Sequence, residues 1–432
     1  MFFLSLLLIS SALIVPSCCE SRVGGRTVEV NHQKDTLEYT ILGIIDDGNI
    51  LIRNEVDLKG GVCVIPKGVI VNMVGGLIKN GEIVGQETVL KYSGKVFDKV
   101  TITGTWNIPI IKSSMFCDLN YENSLRDVIA LTNPSIHNDV IIEEGDYVVS
   151  ASTNKSTCLT VNSNTDLVIN GTIRLEPNNL EGYEIIRVEG ENIIVKGHGE
   201  IIGDKETHTG NAGEWGMGVR FHQAKNAIVT GITIKDCWGD CIYVGGKSKN
   251  IAIESCLLDN GRRQGISITC VDTISIKDCH ISNVKGKRPQ YGIDIEPNSG
   301  DSIDNVKIEN IIITNCVGGF ATTISDRKVR NKAYIGRIEI RNSTINANRG
   351  YPVRFHRCSY ALLENCIASG SNRLPVISVD KVKDIFLNRN NVIVRKSVIN
   401  TVKNTISNTN YQPINIVNCK KINKTHNQIV ER

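Results

Sequence analysis

The stretch NAIVTGITIKDCWGDCIYVGG, residues 226–246, holds the pattern that decides the fold: short runs of alternating Ile and Val, separated by turns rich in Gly and Asp. Related phrases occur on both sides of it. They are NIIVKG at 192, NIAIES at 250, TISIKD at 273, NVKIEN at 305, RIEIRN at 337 and DIFLNR at 384. A sequence that repeats itself at short, regular intervals predicts a solenoid.

The length of the repeat narrows the type of solenoid. Most neighbouring phrases are separated by intervals in the low twenties or low thirties. An interval of about 23 fits one coil of three short strands with turns, and the longer intervals fit the same coil with an added loop. This period is too short for a propeller blade, and Ile and Val replace the Leu-x-Leu of leucine-rich repeats. The sequence therefore predicts an all-β fold, a single-stranded right-handed parallel β-helix with an N-terminal cap region.

A second phrase completes each repeat, as in GDCIYV at 239, QGISIT at 264 and YGIDIE at 291. Its alternation places one set of side chains inside the coil and the other outside. The inner set is Ile242, Val244, Ile266, Ile268, Ile293, Ile295, Val353 and Phe355. The residues expected outside are Met217, Arg220, His222, Asp240, Tyr243, Gln264, Ser267, Asp294, Glu296, Arg354 and His356. Because coils stack about 4.8 Å apart, the outer set is expected to form a compact polar wall.

Composition supports a chain of many short strands, since the 432 residues include 38 glycines, only 10 prolines and 5% aromatic residues. One helix is expected, within residues 122–131. We expect residues 20–150 to form a β-rich cap with the first coils, and residues 151–432 to form the β-helix. The 49 basic and 45 acidic residues nearly balance, at a net charge of +4, and predict no nucleic-acid partner.

Residues 1–19 are expected to be a signal peptide, because their apolar stretch is too short to span a membrane. The phrase VPSC at 15–18 also resembles a bacterial lipobox, in which Cys18 would carry a lipid that attaches the protein to a membrane. Both alternatives predict export in a bacterium, to the periplasm, the outer membrane or the extracellular space.

Six of the 14 cysteines end the same phrase, as in IKDC, IESC and LENC. A residue that recurs at one point of a repeat stacks on its counterparts, so we expect a column of small buried residues with free thiols. The column consists of Cys237, Cys256, Cys279, Cys316, Cys366 and Cys419. Neither a CxxC pair nor a Cys/His zinc spacing occurs in the sequence, so no metal site is predicted.

Polar residues suited to carbohydrate chemistry concentrate between positions 204 and 298. Glycoside hydrolysis needs two carboxyl groups, one to protonate the departing oxygen and one to attack the sugar or activate water. Asp294 and Glu296 are two residues apart on one expected strand, with their Cβ atoms about 7 Å apart, and Asp240 lies two coils away. We predict that these three carboxyl groups are catalytic.

The surrounding residues are expected to bind the substrate. They are His208, Glu214, Trp215, Tyr243, Arg262, Arg263, Gln264 and Tyr291. An aromatic face such as that of Trp215 matches the C–H face of a pyranose ring. Arg262 or Arg263 also supports a lyase or epimerase, in which a cation neutralises a uronate carboxylate while a base removes the C5 proton. Hydrolysis requires no cofactor, whereas a lyase would also be compatible with Ca²⁺.

The repeated I-x-I-x-(N/D)-C phrases resemble the pectate-lyase-like right-handed parallel β-helix superfamily, and GEWGMG, CWGD, RRQGIS and GIDIEPN resemble β-helix proteins of polysaccharide-degrading bacteria. That superfamily includes hydrolases, lyases, epimerases and phage tailspikes, so the resemblance implies the fold more than the chemistry. WGD at 238–240 is similar to the Gly-Asp-Asp element of polygalacturonase-type hydrolases, with Cys241 replacing the second aspartate. YGID at 291–294 is similar in part to the Tyr-Gly-Phe-Asp-Pro-His element of mannuronan epimerases.

Three functions are consistent with this sequence. The first is a secreted or surface-anchored glycoside hydrolase acting on a polysaccharide or oligosaccharide. The second is a polysaccharide lyase or C5-epimerase acting on uronate-containing glycans. The third is a solenoid that binds carbohydrate without catalysis. The sequence leaves the identity of the polysaccharide and the oligomeric state open.

Overall fold

The computed structural model describes residues 30–31, 45–46, 49–119, 124–324, 332–371, 373–395 and 412–431. The expected signal peptide and the lipidation site at Cys18 lie outside these residues. Within the described residues, no helix has the length and apolar character needed to cross a membrane.

From residue 110 onwards the chain winds into coils of three strands, and each strand pairs in parallel with its counterpart one coil later. One complete coil runs through Asp240–Gly245, Ser248–Glu254 and Leu257–Asp259. The coils build three parallel sheets, called here the first, second and third stacks in their order along a coil. The right-handed parallel β-helix predicted from the repeat is confirmed.

The strands of the three stacks have the following bounds. The first stack contains Thr157–Val161, the first halves of Gly182–Gly197 and Trp215–Thr230, and then Asp240–Gly245, Gln264–Ile268, Tyr291–Ile295, Gly318–Thr322, Val353–His356, Ile377–Asp380 and Ile414–Val417. The second stack contains Ile110–Lys112, Asn138–Ile142, Thr165–Ile169, the second halves of the same two long strands, and then Ser248–Glu254, Val271–Lys277, Ser302–Glu309, Tyr334–Ile335, Arg337–Arg341, Tyr360–Glu364, Asp384–Asn388 and Lys421–Thr425. The third stack contains Asp146–Val149, Thr172–Leu175, Glu200–Ile202, Thr233–Lys235, Leu257–Asp259, His280–Ser282, Ile312–Cys316, Thr344–Ala347, Ile367–Ser371, Asn391–Arg395 and Gln428–Glu431.

The chain before residue 110 forms a separate, mostly parallel sheet and leads into the coils. Its strands are Val30–Asn31, Ile45–Asp46, Asn49–Ile52, Glu55–Asp57, Val62–Val64, Ile70–Met73, Leu77–Lys91 and Phe97–Asn107. A 3-10 turn, Ser113–Met115, and the α-helix Ser124–Ala130 follow. The helix falls within the predicted range and buries Leu125 and Val128 between the sheet and the coils. The expected domain division at residue 150 stays a prediction.

Alternation along the first stack determines which side chains enter the core. All eight residues predicted inside are buried. Five residues predicted outside are buried. Ser267 and Asp294 still lie on the outward side of their strands, but the prediction is wrong for three, which are Met217, Asp240 and Gln264. Each lies two residues before an inward-facing residue, as Asp240 does before Ile242, and therefore shares its side of the strand. The polar wall is thus narrower than the sequence suggested, and in these strands it begins three residues later, at Arg220, Tyr243 and Ser267.

The repeated cysteines form a buried column, as predicted, and all of them have free thiols. Cys419, in the last described coil, is the exception because it is only half-buried. The residue before each column cysteine has a left-handed backbone, as at Asn315 with φ 52° and Asn365 with φ 53°. Asparagine tolerates this conformation better than most residues, which accounts for the Asn and Asp preceding Cys in the repeat.

A ladder of asparagine side chains marks the turns that open the second stack. The Nδ2 of Asn192 donates to the Oδ1 of Asn164 at 3.1 Å, and that of Asn250 donates to the Oδ1 of Asn226 at 3.0 Å. Asn226 in turn donates to Asn192, so the ladder runs unbroken through four coils. Each bond fixes one coil on the next, and the stacked turns hold the polar face of the first stack in register.

Candidate functional site

One outward-facing residue from each of seven successive strands of the first stack forms a line along the β-helix, called here the middle column. Cα pairing places these residues opposite one another in successive coils. The column contains Arg187, Arg220, Tyr243, Ser267, Asp294, Ala321 and Arg354. In this column Arg220 lies three coils before Asp294 and Arg354 lies two coils after it.

A cavity of about 190 Å³ opens beside the middle column at Asp294. Its walls are formed by Trp215, Tyr243, Arg263, Ser267, Ile268, Thr269, Asp294, Glu296, Pro297, Asn298 and Ile324. The structure thus brings together five of the residues predicted to act on or bind substrate. The indole of Trp215 is 51% exposed at this edge, so one face is free to contact a bound sugar.

Asp294 is held in place by an amide that is itself fixed. Gln264 Nε2 donates a hydrogen bond to Asp294 Oδ2 at 2.8 Å, and the backbone N–H of Tyr291 donates to Gln264 Oε1 at 2.8 Å. Because the Gln264 side chain is fully buried, it has a structural role in positioning Asp294. Burial, reinforced by the negative charge of Glu296, raises the pKa of Asp294 to about 8. Asp294 therefore carries a proton at neutral pH and is able to donate it.

Glu296 follows the strand that carries Asp294 and lines the same cavity. Its backbone N–H donates to the carbonyl of Ile268 in the preceding coil at 3.0 Å, which fixes the start of the turn. Residues two apart on extended chain project from the same side. The carboxyl groups of Asp294 and Glu296 therefore face one cavity. Asp294 is buried, whereas Glu296 is partly exposed.

Asp240 lies behind Arg263 and does not line the cavity. The two oxygens of its carboxylate accept hydrogen bonds from Arg263 Nη1 at 3.2 and 3.4 Å. The same Nη1 donates to Ser267 Oγ at 3.3 Å, and Glu214 lies 3.8 Å from Arg263 Nε. Burial raises the pKa of Asp240 to about 6, although the cation of Arg263 opposes the shift. In this position Asp240 and Glu214 orient Arg263, and only Arg263 reaches the cavity.

His208 and Arg262 are also absent from the cavity, although the sequence predicted that they bind substrate. Both contact the side chain of Trp238. The rings of His208 and Trp238 are stacked with their centroids 3.8 Å apart, and the guanidinium carbon of Arg262 lies 3.5 Å from the Trp238 ring centroid. His208 Nδ1 is 2.8 Å from a carboxylate oxygen of Asp204, and Asp204 also accepts a hydrogen bond from Tyr183. This group joins the loop before Trp215 to the coils and has a structural role.

Tyr291 is likewise nearly buried, and its ring packs against Gly318 in the next coil, outside the cavity. By contrast, sequence reasoning missed Thr269, Asn298 and Ile324, which line the cavity. Thr269 and Asn298 had a usable signal, since Thr269 ends the repeated second phrase QGISIT and Asn298 follows YGIDIE by two residues. Ile324 had none, because a buried isoleucine near a turn resembles any other core residue.

One group of side chains elsewhere has the composition of a metal site. Ligand atoms of His137, Asp139 and Asp166 lie within 4.8 Å of one another. Lys196 Nζ already contacts Asp166 Oδ2 at 2.6 Å and neutralises part of its charge. This group belongs to the second stack, so it is separate from the cavity.

Asp240→Asn is expected to lower kcat/KM by about 10- to 100-fold. The amide still accepts a hydrogen bond from Arg263 but no longer supplies the charge that holds the guanidinium in place. Asp166→Asn, which weakens the Lys196 ion pair away from the cavity, is the matched control and should retain activity. Steady-state kinetics measure the activity of both variants, and thermal denaturation checks that both are folded. Equal activity of the two variants would contradict the orienting role of Asp240.

Comparisons with known proteins agree with the coiled architecture. The family model of a right-handed beta helix region matches residues 137–295 and 172–334. Two proteins of Bacillus subtilis are similar in sequence. The SPbeta prophage-derived uncharacterized protein YorA is 30% identical over 31% of this chain and 27% of its own length, and uncharacterized protein YclG is 31% identical over 36% and 30%. The chain thus matches less than a third of the length of either relative.

Among solved structures, the A-module of the mannuronan C-5 epimerase AlgE6 from Azotobacter vinelandii is similar, with a TM-score of 0.48 and 14% identity, over 74% of this chain and 99% of that module. The family match covers the coils that carry the cavity. Given that match and the three parallel stacks, the chain has the fold of a right-handed parallel β-helix.

Proposed function

We propose that the protein is a polysaccharide-degrading glycoside hydrolase in which Asp294 is the general acid and Glu296 is the second carboxyl group. The observation that carries this proposal is the pairing of a buried Asp294, with its pKa raised to about 8, and Glu296 at one open cavity. Two carboxyl groups with different environments are the chemical requirement for cleaving a glycosidic bond. Residues 1–19 support the further proposal that the enzyme is exported.

In the proposed reaction, the protonated carboxyl group of Asp294 donates its proton to the glycosidic oxygen as the bond to the anomeric carbon breaks. The leaving sugar departs with a neutral hydroxyl group, and the oxocarbenium-like sugar is left next to Glu296. The hydrogen bond from Gln264 to Asp294 Oδ2 leaves the other oxygen, Oδ1, to carry the proton toward the cavity. Gln264 thus aligns the acid and does not itself touch the substrate.

The carboxylate of Glu296 completes the reaction on the opposite side of the bond. It either takes a proton from the water that attacks the anomeric carbon, or attacks that carbon itself. In the second route the resulting glycosyl-enzyme is hydrolysed by a water molecule that gives its proton back to Asp294, and this step frees Glu296. A Cβ separation of about 7 Å for residues two apart on a strand is compatible with both routes, because the side chains are free to converge or splay. The negative charge of Glu296 also stabilises the positive sugar in the transition state.

The remaining residues of the cavity suit binding and orientation. Trp215 offers an exposed aromatic face for a pyranose, and Tyr243 is fixed by a hydrogen bond of 2.9 Å between its hydroxyl and Thr269 Oγ1. Arg263 presents a guanidinium to the hydroxyl or carboxyl groups of the substrate. Asp240, first predicted to be catalytic, is proposed here as a positioning residue that acts through Arg263.

Elimination or C5-epimerisation of a uronate is the second candidate, and Arg263 is the observation that favours it. Its guanidinium lines the cavity, where it would neutralise a sugar carboxylate, and the Tyr243 hydroxyl lies on the same wall as a candidate base. Two carboxyl groups at the cavity favour hydrolysis instead, because Glu296 would repel the carboxylate of a uronate.

Incubation with a panel of neutral and acidic polysaccharides tests the proposal. Hydrolysis is expected, seen as new reducing ends without absorbance near 235 nm. Absorbance near 235 nm would instead identify elimination, and inverted C5 configuration without chain cleavage would identify the epimerase. Binding without any product would refute enzymatic activity and leave a carbohydrate-binding solenoid.

A further inference from the structure

A second cavity, of about 410 Å³, lies further along the β-helix in the direction of the C-terminus. It crosses the turns between the first and second stacks in consecutive coils, and cationic side chains dominate it. Its basic members are Arg357, Lys381, Lys383 and Lys420, and this cavity is called here the basic groove. The exposed ring of Tyr334 forms part of the same wall.

The positive charge of the basic groove is largely uncompensated. Among the described residues, the carboxylate of Asp380 lies within ion-pair distance of one groove cation, Lys381, at 3.5 Å, and it is also 3.5 Å from His356. In the part of the chain that the structure describes, no carboxylate lies within 4.0 Å of the cationic groups of Arg357, Lys383 or Lys420. Arg357 Nε is buried and has no hydrogen-bond partner among those residues. Unpaired cations lining a concave surface provide a binding site for anions.

The cations follow the repeat of the coils. The backbone N–H of Lys383 donates to the carbonyl of Cys358, and the N–H of Lys420 donates to the carbonyl of Lys383. Lys383 and Lys420 therefore occupy neighbouring coils, about 4.8 Å apart. Arg357 and Lys381 both have a left-handed backbone, with φ 60°, at matching points of successive turns. The cations are therefore spaced one coil apart, and this distance of about 4.8 Å is comparable with the length of one sugar residue in a glycan.

The basic groove is a neighbour of the cavity at Asp294, because Ile324 lines both. In the middle column, the residues that follow Asp294 toward the groove are Ala321, with a small side chain, and Arg354. A glycan lying along the β-helix would thus pass over Ala321 and meet the guanidinium of Arg354 on its way to the groove.

We propose that the basic groove binds the anionic part of a glycan, with carboxylate or sulfate groups on successive sugars, several residues away from the bond held at Asp294. This inference rests on the proposed function for its account of the cavity, but binding in the groove requires no catalysis. The substrate class is then an acidic polysaccharide whose sugar at Asp294 need not itself be charged. That arrangement avoids repulsion by Glu296 and places negative groups against Arg357, Lys383 and Lys420.

The test measures binding in an Asp294→Asn background, which prevents turnover. The probes are a polyuronate, a sulfated glucan and a neutral glucan of matched length. Isothermal titration calorimetry measures the affinity for each probe at low and high salt. Lys383→Gln with Lys420→Gln should weaken binding of a charged probe by about tenfold at low salt, and less at high salt. Lys287→Gln with Lys307→Gln removes equal charge from exposed positions outside both cavities and is the matched control.

A loss confined to the groove variant and to charged probes supports the inference, and the probe that binds identifies carboxylate or sulfate as the anion. Equal weakening by both lysine pairs, or no preference for charged over neutral glucan in the parent, would overturn it. Failure of the proposed function has a separate signature: the wild-type protein would bind the acidic probe through the groove yet release no product. Cleavage with KM unchanged in the groove variant would instead overturn the groove and leave the hydrolase.

Discussion

Asp294→Asn is expected to lower kcat by about 10³-fold or more and, at the same time, to make the folded protein more stable at alkaline pH. Asparagine matches the carboxyl group in size, and its Oδ1 still accepts the hydrogen bond from Gln264. The variant loses the proton that the leaving sugar needs. It also loses an ionisable group that the fold holds in an unfavourable environment.

The gain in stability follows from the direction of the pKa shift. Burial and the charge of Glu296 raise the pKa of Asp294 to about 8, above its value of about 4 in an unfolded chain. Its contribution to folding is therefore fully present below pH 4 and is lost as the pH rises toward 8. Asparagine has no such loss, so its advantage should grow from pH 4 to pH 8 and reach at least about 2 kcal/mol.

Thermal and urea denaturation between pH 4 and pH 9 measure this difference, and reducing-end assays measure kcat. Asp166→Asn, in the second stack, serves again as the control and should show neither effect. A variant that loses activity without gaining alkaline stability would show that Asp294 ionises freely in the folded protein. That result would remove the basis for its role as the acid.

The sequence predicted the fold well because each sequence repeat corresponds to one coil of the structure. Ile266 and Ile268 are buried because strand alternation leaves them no other side, and Cys256 and Cys279 are buried because equivalent points of a coil stack. These are local rules, each expressed within a few residues of the chain.

The candidate site was harder to predict, since it depends on the direction of individual side chains at turns. Asp240 and Asp294 occupy similar phrases, but one lies on the inward side of its strand and the other on the outward side. Arg262 and Arg263 are neighbours, yet one stacks on Trp238 and the other reaches the cavity. A periodic pattern predicts on which side of a strand a side chain lies. It does not predict which neighbours the far end of a long side chain contacts at a turn.

Glu296→Gln is expected to reduce kcat by about 10³-fold or more, whether the carboxylate attacks the sugar or activates water. The change replaces a negative charge by an amide of the same shape, so binding through Trp215 and Tyr243 should persist and KM should change little. Glu309→Gln, at an exposed position of the second stack, is the matched control and should retain activity.

The residual activity of Glu296→Gln carries a second, more specific signature. The charge of Glu296 contributes to the raised pKa of Asp294, so its removal should lower that pKa and make Asp294 lose its proton at a lower pH. The alkaline limb of the kcat profile should therefore move to lower pH in the variant, while the profile of Glu309→Gln stays in place. An unmoved alkaline limb would mean that the two carboxyl groups titrate independently. Two independently titrating groups would not form the acid and base pair of one active site, even if each were needed for activity.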